Sequence, residues 1–228
     1  MTLHHPSIQE VLSDRVRGWR GVPGMHPAAV RPVVAISRQS GARGREVALA
    51  LGERLGVDVH DRDIIHRIAE RTHLREDAVL SFEQEDRPLL SDWLSSFASE
   101  PYLSPYGYAH HLAQVVLAIS RSGGAVILGR GAHLILRPGQ ALRVFVVAPL
   151  QQRVETIMAR FGVDAREAEH RIGAKEAERR LFLRKYFHAE YGDPATFDLV
   201  VNTGVLGVPG AVDAVHAALQ RMIVAAQP

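Results

Sequence analysis

Hydrophobic positions along this chain fall into two alternating kinds of run. Short β-rich runs, most of them continuously apolar, recur at "VVAIS" (33–37), "VDVH" (57–60), "AVILG" (125–129), "LRVFVVA" (142–148) and "DLVVN" (198–202). Hydrophobicity that is unbroken rather than alternating predicts strands covered on both faces. Helical spacing fills the intervals. In "GREVALALGERLG" the residues Val47, Leu51 and Leu55 recur every fourth position, and the pattern stops at Gly56. "RDIIHRIAERTHL" repeats it with Ile64, Ile65 and Ile68, and "QVVLAISRSGG" closes on two glycines. "PLQQRVETIMARFG" carries Pro149 in its first turn and ends at Gly162, and "PGAVDAVHAALQRMIVAA" closes the chain. Strands alternating with helices predict an α/β fold: a five-stranded parallel sheet with helices on both faces.

Two stretches fit that alternation poorly. Residues 75–112 are far too long for an ordinary connection and hold Phe82, Trp93, Phe97, Tyr102, Tyr106 and Tyr108. That aromatic density predicts a folded insertion. Residues 160–188 are the second stretch, with eight basic and five acidic side chains. Residues 1–31 read as a peripheral helix ("SIQEVLSDRVRGW") and a Pro/Gly linker, which leaves 32–228 as the main domain.

Composition narrows the function classes. The chain has 228 residues, a formal net charge of +2 and no cysteine. The charge does not call for a nucleic-acid partner, and without thiols there is neither a disulfide framework nor a thiolate zinc site. No apolar run approaches the roughly 20 residues that span a bilayer, and the first residues lack a signal-peptide core. A cytoplasmic protein without a membrane partner is expected, with oligomerisation left open. The 12 histidines include His110 and His111 but no H-E-x-x-H, so no catalytic metal site held by protein side chains is expected. All but two of the 27 basic residues, Lys175 and Lys185, are arginines. A phosphate gripped by a side-chain cation near the loop described next is therefore gripped by arginine, whose planar fork suits bidentate contacts.

The turn after the first strand, "SRQSGARGRE", carries Gly41 and Gly44 among Arg38, Arg43 and Arg45. A glycine-bearing strand-to-helix turn aims backbone N–H groups into one concavity, and the helix N-terminus adds roughly half a positive charge. The common phosphate-loop pattern G-x-x-x-x-G-K-[ST] is not met, because its lysine and hydroxyl residue are missing. Two readings stand side by side: a phosphate cradle, and a tight turn with solvated arginines.

The stretch "VVAISRQSGARGREVALALGERLGVDVHDRDII" resembles the opening of the cytidylate-kinase-like family of P-loop proteins, relatives of the nucleoside monophosphate kinases. That family reads I-S-R-x-x-G-S-G-G-x-x-I and then Y-D-x-x-L/I. The resemblance continues in "VILGRGAHLIL", "LRVFVVAPLQQRV" and "AERRLFLRKYF…FDLVVNTGVLG", in the family's order. It implies a P-loop kinase core with an acceptor-binding insertion at 75–112 and a lid at 160–188. It further implies ATP and Mg²⁺ as cofactors and phosphoryl transfer to a small acceptor such as CMP. Two other activities stay open: a nucleotide-binding sensor that has lost turnover, and a kinase of a non-nucleotide metabolite.

Residue by residue, the resemblance places Arg38, Ser40, Gly41, Ala42, Arg43, Gly44 and Arg45 at the donor phosphates. Arg43, and after it Arg38, would supply the missing cation. Ala42 and Arg43 depart from the family's Ser-Gly. Asp61 and Arg62 match the block after the second strand, and would meet the acceptor; Asp61 would equally serve as a helix N-cap. Gly129 and Arg130, in "GRGA", would meet the acceptor's phosphate. On the lid, Arg179 matches the catalytic arginine, preceded by Glu176 and followed by Phe182, with Arg171 and Lys175 along the same helical face.

Overall fold

The computed structural model describes residues 33–61 and 124–225, with helical positions 112–113, 115–117 and 119–120 between them. The helix expected at 62–74, residues 1–31 and all but the last residue of the 75–112 insertion lie outside the described residues.

Strand β1 (Val33–Arg38) leads into α1 (Gly44–Leu55) and β2 (Asp58–His60). After the helical positions at 112–120 come β3 (Ala125–Leu128), the short α2 (Ala132–Ile135) and β4 (Leu142–Val147). Helices α3 (Leu150–Phe161) and α4 (Ala165–Phe187) follow, then a 3₁₀ turn (Pro194–Thr196), β5 (Leu199–Asn202) and α5 (Thr203–Ala225). The five strands lie in the order β2-β3-β1-β4-β5, and every pairing is parallel. Each strand falls within one residue of its expected bounds at either end.

The unbroken apolar runs follow from this order. In β1, Val34 and Ile36 join a core with Val47, Ala48 and Leu51 of α1 and Ala211, Val215 and Leu219 of α5. Val33 and Ala35 face the other way, into a core with Leu112, Val115, Val116, Ile119 and Leu136. Alternate residues are thus claimed by opposite cores, so both sets are apolar. Each fully buried Val, Leu or Ile contributes about 1.5–3 kcal/mol.

The charged stretch 160–188 resolves into the last turn of α3, a three-residue turn and the single helix α4. Gly162 ends α3 in the left-handed region (φ +65°), and the Asp164 carboxylate caps α4 by accepting the Glu167 amide at 2.8 Å. Val154 and Ile157 pack on Ala168 and Ile172, closing the pair into a hairpin. The charge run divides along α4: Arg166, Glu169 and Arg180 are exposed, whereas Lys175, Glu178 and Arg179 line the cleft. Helix α5 breaks at Gly207 (φ +63°, ψ −178°), just before Pro209. Its second arm is the helix expected from Pro209 onward. No helix among the described residues is long and apolar enough to cross a membrane.

Candidate functional site

The site is built where the C-terminal ends of β1, β3 and β4 release their loops, the position at which open parallel sheets leave a crevice. The loop after β1 is pinned to the neighbouring strands. The Gln39 amide donates to the Val146 carbonyl at 2.9 Å, while the Gln39 side-chain oxygen accepts the Ala148 amide at 3.1 Å. The Thr203 hydroxyl lies 2.9 Å from the Ala42 carbonyl and 3.2 Å from the Val147 carbonyl, tying the loop to the end of β5. Helix α1 then starts at Gly44 with no side-chain cap. Its first-turn amides are the kind of donors that bind anions.

Arg38, the last residue of β1, is threaded through this loop. Its stem passes where a Cβ on Gly44 would sit, and its Nη1 lies where a Cβ on Gly129 would sit. Both glycines are therefore needed for the arginine to reach the cleft. The Arg38 guanidinium lies 4.0 Å from the Asp61 carboxylate. Burial lowers its pKa to about 10, Arg179 adds to that effect, and Asp61 opposes it. Arg130 stands in the left-handed region at φ +56°, between Gly129 and Gly131. Its pKa too is lowered to about 10, chiefly by burial, with Asp61 again opposing. Arg179 reaches in from α4 and donates to the Arg38 carbonyl at 2.9 Å, as does the Tyr191 hydroxyl at 3.0 Å.

With pKa values near 10, Arg38 and Arg130 remain charged at neutral pH, and among the described residues Asp61 is the carboxylate that faces them. Enclosing cations costs free energy that an anion would offset. The arrangement can hold an anion: α1 supplies uncapped amides, and the arginines supply charge without a lysine. The described residues include no cluster of three or more His, Asp or Glu that would cage a metal. Mg²⁺ does not require one, because it is usually held by one or two carboxylates together with substrate phosphates. Asp61, in the cleft 4.0 Å from Arg38, is a carboxylate that could serve in that way.

The other expected residues separate by environment. Arg43 adopts φ +56° and turns its side chain onto Glu46, with Nη2 2.6 Å from the carboxylate; the side chain is 46% exposed. Arg38, rather than Arg43, is the cation enclosed at the loop. Ala42 is fully buried in the core on the α1 and α5 side, and its amide closes a turn onto Gln39. Ser40, Gly41 and Arg45 line the cleft. Arg171 and Lys175 line it as well, paired with Glu167 and Glu178 at 2.6 Å each. Arg62 lies outside the described residues. The cleft measures about 1610 Å³. That exceeds the roughly 300–1,000 Å³ of a single small-ligand pocket, leaving room for two ligands side by side.

Sequence reasoning missed the supporting side chains. Arg153 of α3 is buried, and its Nη1 donates to Glu176 at 2.7 Å and to the Ser40 carbonyl at 3.4 Å. An arginine on the same stripe as Val154 and Ile157 was the available signal. Beneath β1, the Ser37 hydroxyl and His133 Nδ1 are 3.0 Å apart. The His133 ring stacks on Phe197 at 4.4 Å, Phe197 stacks on Phe145 at 4.9 Å, and Tyr191 meets the edge of Phe145. This column seats Tyr191 under the Arg38 carbonyl. Burial, with a smaller effect from the Arg143 charge, lowers the His133 pKa to about 4, so the ring is neutral.

Comparison with known proteins gives matches of the same character. The profile of the cytidylate kinase-like family matches residues 33–205. Cytidylate kinase of Ignicoccus hospitalis is 29% identical over 102 residues, which is 45% of this chain and 59% of that enzyme. Cytidylate kinase of Pyrococcus horikoshii is 26% identical over 103 residues, 45% of this chain and 53% of that enzyme. The chain thus spans little more than half the length of these relatives. Among solved structures, an uncharacterized protein from Eubacterium ventriosum superposes with a TM-score of 0.62 at 19% identity, covering 83% of this chain and 99% of that one. That last likeness concerns the fold alone.

Proposed function

Because this chain belongs to the cytidylate kinase-like family, we propose that it carries out ATP- and Mg²⁺-dependent phosphoryl transfer to a small acceptor, in the first instance a nucleoside monophosphate such as CMP. The observation that carries this reading is the convergence of Arg38, Arg130 and Arg179, from three separate segments, around a strand–loop–helix turn. Phosphoryl transfer requires positioning and neutralisation of charge more than covalent help from the protein, and such a gathering of guanidiniums serves both.

In this reading Mg·ATP supplies the transferable phosphoryl group. The amides of Gly41, Arg43, Gly44 and Arg45, at the N-terminus of α1, hold the donor's phosphates. Arg38 does the work of the absent lysine, from the strand instead of the loop. Its stem is fixed against Gly44 and its planar head against Gly129, so little side-chain entropy remains to be lost on binding. Asp61 orients Arg38 and Arg130 and is the protein group available to Mg²⁺. Arg130 meets the acceptor's phosphate. Arg179 covers the transferring group from α4, with Arg171 and Lys175 further along the helix, and the covered cleft excludes water that would otherwise hydrolyse the donor.

The test is incubation of the protein with Mg·ATP and a panel of monophosphates. Product formed from CMP or another nucleotide supports the proposal. Saturable ATP uptake without turnover would replace it with a sensor, and turnover with neutral alcohols alone would replace it with a metabolite kinase.

A further inference from the structure

Helix α4 reaches the phosphate loop through two polar links. One is direct, from Arg179 to the Arg38 carbonyl. The other passes through α3: Glu176 holds the Arg153 guanidinium at 2.7 Å, and the same Nη1 donates to the Ser40 carbonyl at 3.4 Å. Arg153 also braces the loop with its backbone, because its carbonyl oxygen lies only 2.5 Å from where a Cβ on Gly41 would stand.

Arg153 is 8% exposed, and its Nε makes no hydrogen bond among the described residues. Glu176 and Ser40 are thus the acceptors that hold its head. A buried guanidinium that loses its carboxylate cannot stay where it is at little cost. The place of Arg153 and the place of Glu176 are therefore one variable. Because the Arg153 backbone touches Gly41, that variable is passed on to the loop. The apolar contact of Val154 and Ile157 with Ala168 and Ile172 already closes the α3–α4 hairpin. The ion pair is not needed for that closure.

We propose that Glu176 and Arg153 are positioning residues whose ion pair couples the docking of α4 to the conformation of the phosphate loop, so that the loop's amides are set for an anion only when α4 is seated. The structural coupling stands by itself; its meaning for catalysis rests on the reading of the loop as the donor-phosphate site.

The test is hydrogen exchange of the full chain, followed at residues 39–45, together with titration by inorganic tripolyphosphate. Glu176→Gln removes the charge and keeps the shape. Exchange at 39–45 should rise at least fivefold while α5 stays at the wild-type rate, and tripolyphosphate should bind at least tenfold more weakly. Glu176→Asp should recover part of both losses. Should the glutamine variant unfold, the double variant Arg153→Met with Glu176→Met decides, because it leaves no buried charge behind. That variant should fold as well as the wild type and still show the faster loop exchange. A double variant with wild-type loop exchange and wild-type tripolyphosphate affinity would overturn the proposal and reduce the pair to local hairpin packing. A wild-type protein that takes up neither tripolyphosphate nor ATP would instead sink the proposed function, and the exchange data would still decide the coupling.

Discussion

Arg43 and Arg130 share a backbone conformation and little else. Both leave the end of a central strand, and both sit at φ +56°, a region that costs a non-glycine residue about 1–2 kcal/mol. Arg43 spends its charge on Glu46, three residues on along α1, half-exposed at the rim of the cleft. Arg130 lies between two glycines, enclosed, with Asp61 in electrostatic range. The two show that arginines beside glycine-bearing loops can line one cleft and still differ in enclosure and in the carboxylate each faces. A carboxylate one helical turn away draws Arg43 to the surface as a counter-ion, and flanking glycines let the fold close over Arg130.

The largest effect expected from breaking this contrast is at Arg130. Arg130→Gly should lower acceptor-dependent turnover on the order of 10²–10³-fold, the scale of losing one preorganised donor. Thermal unfolding should show a Tm at or above wild type, because backbone strain and a buried charge are both relieved. Unchanged turnover would put Arg130 in the same class as Arg43.

His133 supports the Arg130 side, since α2 follows directly after Gly131 and the ring bonds to Ser37 of β1. Its pKa is depressed in the folded state, so below about 6.5 the unfolded chain binds a proton that the folded chain refuses. Stability from this group is full above pH 6.5, falls as pH drops toward 4 and levels off below that. The total is about 3 kcal/mol for a shift of this size. Urea titrations across that window should show the decline, and His133→Asn should flatten it. An equally steep decline in the variant would assign the pH dependence to other groups.

The smallest effect belongs to Arg43. Arg43→Gly should raise stability by about 1 kcal/mol through relief of the positive φ. ATP affinity, measured by calorimetry, should stay within about threefold of wild type, a change of less than roughly 0.7 kcal/mol. A tenfold loss of affinity would show that the Glu46 pairing gives way to a phosphate contact.

Most of the fold was legible in the chain. The apolar runs placed all five strands, most plainly β1 and β3, whose alternate residues enter cores on opposite faces, and glycine stops located the ends of α1 and α3. At the site, the flanking glycines flagged Arg130, and their spacing flagged the loop after β1. What could not be read were the contacts made across long separations. Arg153 is 113 positions from Ser40, and Tyr191 is 153 from Arg38. No local pattern encodes pairings that exist only once α3 and α4 have turned back over the sheet. Arg43 lines the cleft as well, paired with Glu46 through an i,i+3 contact that the chain itself displays.

The placement of β1 at the middle of the sheet has a consequence for how this architecture varies. A strand bonded on both sides is the part of a domain least free to drift, and here it ends in the arginine on which the proposed chemistry rests. The hairpin above it touches that strand through a handful of side chains. Floor and roof are thus separable inheritances: a lineage could re-cut the roof for a new acceptor while the floor beneath went on gripping the same donor.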